Sequence, residues 1–220
     1  MGYQIAIDGP AGAGKSTIAK KVAGNRGAIY VDTGALYRAI GYDFIINNVD
    51  VDDLKSIAIE LNKIDVKLQY VNNIQKVLLN DEDITAYIRK EEVGNMASKA
   101  SAVKAVREKL LDLQRNIADE HDVVMDGRDI GSFVLPEANV KVYLTASVAT
   151  RAKRRYDELI QKGLFADLES IKYDIEERDY RDMNRETAPL KQAEGAVLID
   201  SSNMSIEEVV NAILALCEKK

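Results

Sequence analysis

The sequence contains one cysteine and one histidine. A single thiol, Cys217, cannot close an internal disulfide, so a reducing, cytoplasmic setting is expected. With His121 as the sole imidazole, a histidine-rich metal site is excluded and a Ser-His-Asp triad is disfavoured. His121 itself reads as a polar loop residue ahead of an apolar run. Positive charge is not in excess either: 30 Lys and Arg stand against 36 Asp and Glu, a net charge of −6. No nucleic-acid partner is therefore expected, and any arginine cluster has to be a local device. No apolar run approaches the ~20 residues of a membrane span. The opening MGYQIAID has no basic n-region, apolar h-region or cleavage site, and Ala6 stands where a myristoylation signal needs Ser or Thr. No membrane partner is expected. Hydrophobic residues at 46% over 220 positions suit one domain with a sizeable core.

Five short apolar runs read as strands: YQIAID (3–8), AIYVD (28–32), VVMD (123–126), VKVYL (140–144) and AVLID (196–200). They are continuously apolar, the pattern of strands buried on both faces of a parallel sheet. Helical patterns separate them. Leu54, Ile57, Ala58 and Leu61 share one helical face, and Val103, Val106, Leu110, Leu113 and Ile117 share another. Ser205 and Glu208 form a capping box that opens the last helix. The expected fold is α/β, a five-stranded parallel sheet flanked by helices. Residues 65–83 break the rhythm: Val66, Leu68 and Tyr70 alternate with polar residues, Asn72-Asn73 is a turn signal, and KVLL follows. This predicts a small antiparallel β insert.

Four of the five runs end in Asp followed by a small or turn-forming residue: Asp8-Gly9, Asp32-Thr33, Asp126-Gly127 and Asp200-Ser201. Ligands bind outside the carboxyl ends of parallel strands. There the chain places GPAGAGKS, residues 9–16, between a strand and a helix. The glycines turn backbone N–H groups inward around phosphate oxygens, Lys15 reaches the β- and γ-phosphates, and Ser16 can ligate Mg²⁺. The expected ATP cradle is Gly9, Pro10, Ala11, Gly12, Ala13, Gly14, Lys15, Ser16 and Thr17. Two classes use such a cradle, a GTPase switch and a kinase for a small acceptor. Asn62-Lys63-Ile64-Asp65 matches the guanine-reading N-K-x-D, but it follows a helical pattern instead of closing a buried strand, and no D-x-x-G occurs. The kinase reading is preferred.

Two further stretches follow strand ends. YVDTGALYR brings Thr33 and Arg38, and VVMDGRDIG brings Asp126, Arg128 and Asp129. Arginine forks suit phosphate, and a carboxylate closing an apolar strand suits the water shell of a metal. In ERDYRDMNRETAPL (177–190), Arg178, Asp182 and Arg185 fall on one helical arc with Ile171 and Ile175, and Arg181 lies at its edge. A stripe that turns from apolar to charged without changing face predicts an inward, ligand-facing cluster and not a solvated run.

The stretches IAIDGPAGAGKST, YVDTGALYRAI, LNDEDITAYIR, ASKASAVKAVREKLLDLQR, VVMDGRDIGSFVLP, RAKRRYDELIQKG, ERDYRDMNR and LIDSSNMSIEEV together resemble the bacterial cytidylate kinases of the nucleoside monophosphate kinase family. The resemblance spans nearly the whole chain. It implies one P-loop kinase domain, with a core at 1–62 and 94–220, a β insert at 63–93 and a lid at 151–165. It implies transfer of the ATP γ-phosphoryl group to CMP and dCMP with Mg²⁺, by a monomer. By the same resemblance Ser98, Arg107 and Asp129 face cytosine, and Thr33, Arg178 and Asp182 face the sugar. Arg38, Arg128 and Arg185 hold phosphates, and the lid supplies Arg151 and Arg155. Ser16 would bind Mg²⁺ directly and Asp126 through water. Lys15, Arg128, Arg151 and Arg185 are the implied catalytic charges. Ser132, where Thr is expected, is a small departure that touches none of these roles.

Overall fold

In the computed structural model, which describes residues 2–71 and 74–218, the chain runs β1 (Gln4–Asp8), α1 (Lys15–Arg26), β2 (Ile29–Asp32), α2 (Thr33–Ile46), α3 (Leu54–Leu61), β3 (Val66–Val71), β4 (Ile74–Leu79) and β5 (Glu82–Asp83). A 3₁₀ turn (Tyr87–Arg89) leads into α4 (Glu91–Ala100), α5 (Lys104–Glu120) and β6 (Val123–Gly127). After a π-helical turn (Ile130–Val134) come β7 (Val140–Thr145), α6 (Val148–Gln161), α7 (Leu168–Asn184), β8 (Val197–Asp200) and α8 (Ile206–Cys217). All five expected strands form, in one parallel sheet ordered β2-β6-β1-β7-β8. The register sets Asp8 beside Gly127 and Asp32 beside Asp126, so three chemistry-bearing strand ends share one edge of the sheet.

β1 and β6 are buried at every position, as their unbroken apolar runs predict. β8 departs from that expectation. It is an edge strand, with Val197 43% and Leu198 55% exposed, because only β7 covers it. The α3 stripe is also narrower than its spacing suggests. Asp53 caps that helix by accepting from Lys55 N, Leu54 is 67% exposed, and only Ile57 and Leu61 are buried. α8 opens on the expected capping box: the Ser205 hydroxyl accepts from Glu208 N and the Glu208 carboxylate from Ser205 N.

The predicted insert is a three-stranded antiparallel sheet, β3-β4-β5. The Asn72-Asn73 turn lies outside the described residues. β5 went unpredicted; it follows Asn80 and Asp81, both at positive φ (49° and 68°), a turn chemistry that those residue types tolerate. The apolar face of the insert, Val66, Val77, Leu79 and Ile84, packs into one cluster with Leu36, Ile40 and Phe44 of α2. A second cluster joins Ile5, Ile7, Val142 and Leu144 to Ile18 and Val22 of α1 and Ile213 of α8, and a third gathers the alternate sheet residues Ala6, Val31 and Met125 with Ala118 and Ile130. Among the described residues, no helix is long and apolar enough to cross a membrane.

Candidate active site

The glycine-rich loop 9–14 is built on the turn out of β1. Gly9 has φ 153°, and a Cβ there would lie 1.9 Å from the carbonyl oxygen of Leu144 in the adjacent β7. That neighbour is sheet backbone and cannot yield. Gly9→Ala is expected to lower the melting temperature by at least 10 °C, since it adds a steric clash to a strained φ, each worth several kcal/mol; differential scanning fluorimetry checks it. α1 starts at Lys15, with Gly14 as a left-handed N-cap, so its first N–H groups and its positive dipole end face the loop. Thr17, on the same turn, is exposed. The buried Lys15 ammonium donates to Pro10 O at 2.8 Å. Burial, then the nearby Arg128 charge, lowers its pKa to about 7.

Ser16 Oγ donates to Asp126 Oδ2 (3.0 Å) and the Tyr30 hydroxyl to Asp126 Oδ1 (2.8 Å). Burial, then the neighbouring Asp32, pushes the Asp126 carboxyl up to about 6. Among the described residues there is no cluster of three or more His, Cys, Asp or Glu side chains able to hold a metal. One hydroxyl and one carboxylate fit Mg²⁺, which takes most of its ligands from water and substrate phosphates.

The loop itself is braced from beneath. Ala11 N donates to Asp179 Oδ1 (3.3 Å), and Arg151 donates to Ala11 O (2.8 Å) and Ala146 O (2.8 Å) while pairing with Asp179 (2.7 Å). Arg151 is therefore buried in the first turn of α6, under the cradle. Among the described residues, Arg155 pairs along its own helix, with Glu158 at 3.0 Å. Between α6 and α7, Leu164 and Phe165 are exposed.

The residues expected to hold the acceptor come from five segments. Arg107, on α5, is 2% exposed; it donates to Ser101 O (3.2 Å), pairs with Asp129 and sits between the rings of Tyr37 (5.3 Å) and Phe133 (5.8 Å). Arg185 reaches Asp129 (3.4 Å), Ser101 Oγ (3.2 Å) and Ala188 O (2.8 Å). Arg128 Nε donates to Asp182 at 2.8 Å. Burial opposes ionisation of Asp182, but Arg128, with Arg185 and Arg178, outweighs it and holds the carboxyl below its usual range. Arg178 donates to Gly94 O (2.9 Å) of α4, the helix that carries Ser98. The buried Thr33 hydroxyl donates to Asp126 O at 2.7 Å, tying α2 to the end of β6.

Among the described residues, six buried side-chain N or O atoms have no hydrogen-bond partner, and four belong to expected acceptor residues: Arg38 Nη1, Ser98 Oγ, Arg107 Nε and Arg178 Nε. Buried polar groups are nearly always satisfied, so these four atoms lack the partner that such groups ordinarily have.

The inward reading of 177–190 holds in part. Ile175 and Asp182 are buried, while Tyr173 and Tyr180 face outward. α7, however, ends at Asn184, and Arg185 is its extended C-cap (φ −68°, ψ 143°). It reaches Asp129 by leaving the helix, not by lying on its arc. Arg181 bonds Glu177 O on its own helix. Asp179, which braces the cradle, went unpredicted although it follows Ile175 at i+4. Asp8 was noted only as a strand end; its carboxylate accepts from Ile130 N and Gly131 N, both at 2.7 Å, and burial raises it to about 7. It thereby links the start of the phosphate loop to the loop carrying Arg128 and Asp129.

The sequence model of the Cytidylate kinase family matches residues 5–219. A curated "Cytidylate kinase" of Lactobacillus gasseri is 49% identical over 217 residues, covering 99% of this chain and 94% of the relative. Another, of Caldicellulosiruptor bescii, is 49% identical over 215 residues, covering 98% and 95%. Among solved structures, an uncharacterized protein from Eubacterium ventriosum superposes with a TM-score of 0.56 at 12% identity, covering 99% of both chains, a likeness of fold alone.

Proposed function

The chain belongs to the cytidylate kinase family, and on that premise we propose that its sheet-edge crevice moves the γ-phosphoryl group of ATP to CMP or dCMP, giving CDP or dCDP and ADP, in pyrimidine nucleotide metabolism. One observation supports the reading: the chain carries a glycine-rich loop at the N-terminus of α1, and four of the six unpartnered buried side-chain atoms among the described residues belong to residues expected to bind the acceptor. Phosphoryl transfer asks for positioning and charge neutralisation more than for a covalent catalyst. The acceptor phosphate is already an ionised nucleophile, so no general base is needed. That agrees with a crevice of Lys, Arg and Asp in a chain with one histidine.

In this reading residues 9–17 wrap the ATP phosphates, and Lys15, Arg128 and Arg185 neutralise the transferring charge. Arg151 braces the cradle and reaches the phosphates only if the segment 151–165 closes as a lid. Mg²⁺, when bound, offsets phosphate charge; Ser16 would hold it directly and Asp126 through water. Arg38 and Arg128 take the acceptor phosphate. Asp129, Arg107 and Ser98 take cytosine; Asp182, Arg178 and Thr33 take the sugar. Thr33 already donates its proton to Asp126 O, so it would accept from a sugar hydroxyl. We propose a cytoplasmic monomer acting on small molecules.

A coupled ADP-release assay on the purified protein with CMP, dCMP, UMP, AMP, GMP and shikimate tests the reading. CMP and dCMP are expected to give the highest kcat/KM. Preference for AMP, GMP or shikimate, or acceptor-independent GTP hydrolysis with CMP ignored, would overturn it.

A further inference from the structure

The antiparallel insert is stitched to β2, one of the two edge strands of the main sheet, at its last residues. The Gln75 amide accepts from Asp32 N (2.8 Å) and donates to Asp32 O (3.4 Å), occupying both backbone groups of an edge residue as a neighbouring strand would. The Tyr70 hydroxyl donates to Tyr30 O at 3.3 Å. The chain then runs through β5 into the 3₁₀ turn, which is anchored by the fully buried Ile88 and by Tyr87 stacked on Tyr42 of α2 (5.8 Å between ring centroids). The last residue of that turn is Arg89. Its guanidinium lies 3.0 Å from Asp32 Oδ2, the same oxygen that stands 3.8 Å from Arg38 Nη1.

Half of the Asp32 carboxylate is committed elsewhere. Its Oδ1 caps α2 through Ala35 N at 3.0 Å, and the residue is buried. One remaining carboxylate oxygen therefore serves two guanidinium forks, each with five donors. It does not satisfy them: Arg38 Nη1 is buried with no hydrogen-bond partner. Burial, together with the charges of Arg89 and Arg128, holds the Arg38 pKa below its usual value, so these cations crowd one another. A multivalent anion with several oxygens relieves all of this at once, and planar forks bind such an anion bidentately.

We propose that Arg89 is a further ligand of the acceptor's phosphate group, delivered beside Arg38 by the antiparallel insert, with Asp32 as the anion that holds both arginines in place before the nucleotide arrives. The proposal rests on the reading of the crevice as the CMP site and adds a residue to it. The bland alternative is a half-exposed ion pair with no role beyond the surface, since Arg89 is itself 53% exposed at the side chain.

The two are separated by removing either the arginine or the phosphate. Calorimetric titrations of the full chain with CMP and with cytidine, on wild type, Arg89→Gln and Arg89→Lys, provide both. Arg89→Gln is expected to weaken CMP about tenfold, the loss of one charge-assisted contact to a partly solvated phosphate, and to leave cytidine affinity unchanged. Arg89→Lys is expected to recover part of the CMP affinity, because it keeps the charge and loses the fork. Unchanged CMP affinity in Arg89→Gln, or equal weakening of CMP and cytidine, overturns the proposal: the first makes Arg89 a surface pair and the second a structural residue. Wild-type protein that binds neither ligand would overturn the CMP reading itself, and the role of Arg89 with it.

Discussion

Lys15→Ala is expected to lose phosphoryl transfer by about 10²–10³-fold in kcat, the scale seen when one preorganised transition-state donor is removed. The variant should stay folded. Lys15 is buried with its pKa lowered to about 7, so its charged form is penalised in the native state. The sign follows: a lowered lysine pKa means that the unfolded chain binds the proton more readily, and the penalty grows as pH falls from the unfolded value near 10.4 towards 7. Removing the side chain removes that penalty, and the melting temperature at pH 7 should hold or rise. ATP should have the opposite effect on the lysine, since its phosphates favour the ammonium. Nucleotide binding at pH 8 is therefore expected to take up a proton in wild type and less of one in Lys15→Ala. Steady-state kinetics and calorimetry in two buffers of different ionisation enthalpy check both parts. Near-normal turnover in the folded variant would remove Lys15 from the mechanism.

Asp129→Ala is expected to erase much of the preference for CMP over UMP. Cytosine offers an N4 amino donor that a carboxylate accepts, whereas uracil presents O4 there and would be repelled. Each mismatched contact is worth on the order of 1–3 kcal/mol, so the CMP:UMP ratio of kcat/KM should narrow by that scale. The structure adds a stability cost. Asp129 is buried between Arg107 and Arg185, and Arg107 is itself 2% exposed. Truncating the carboxylate leaves buried guanidinium charge unmatched, at a cost of about 3–5 kcal/mol. Asp129→Asn keeps the shape and one acceptor oxygen but turns the other into a donor suited to uracil O4, so it should shift the ratio further towards UMP. Kinetics with both acceptors, beside melting curves, separate the effects. An unchanged ratio in both variants would mean that Asp129 does not read the base.

What the sequence by itself determined is what is encoded in contiguous residues. A phosphate cradle is mostly backbone, so GPAGAGKS between a strand and a helix states its geometry in eight letters. All five strands were legible as apolar runs, which continuous burial explains for β1 and β6 alone, and the insert because its first strand alternates. Only the tertiary structure decided the rest. The proposed acceptor side draws on α2, α4, α5, the loop after β6 and the end of α7, and no local pattern says which side chains meet. Asp8, Tyr30, Asp179 and Arg89 carry ordinary local signals, yet each bridges segments far apart in the chain: Asp8 to Gly131, Tyr30 to Asp126, Asp179 to Ala11, Arg89 to Asp32. Arg185 could not be placed by helical periodicity, because it acts from one residue beyond the helix that the periodicity describes. β8 reads as buried and lies at the edge, because apolar composition reports propensity for a sheet while strand order, set by long-range packing, decides which strand lacks a neighbour.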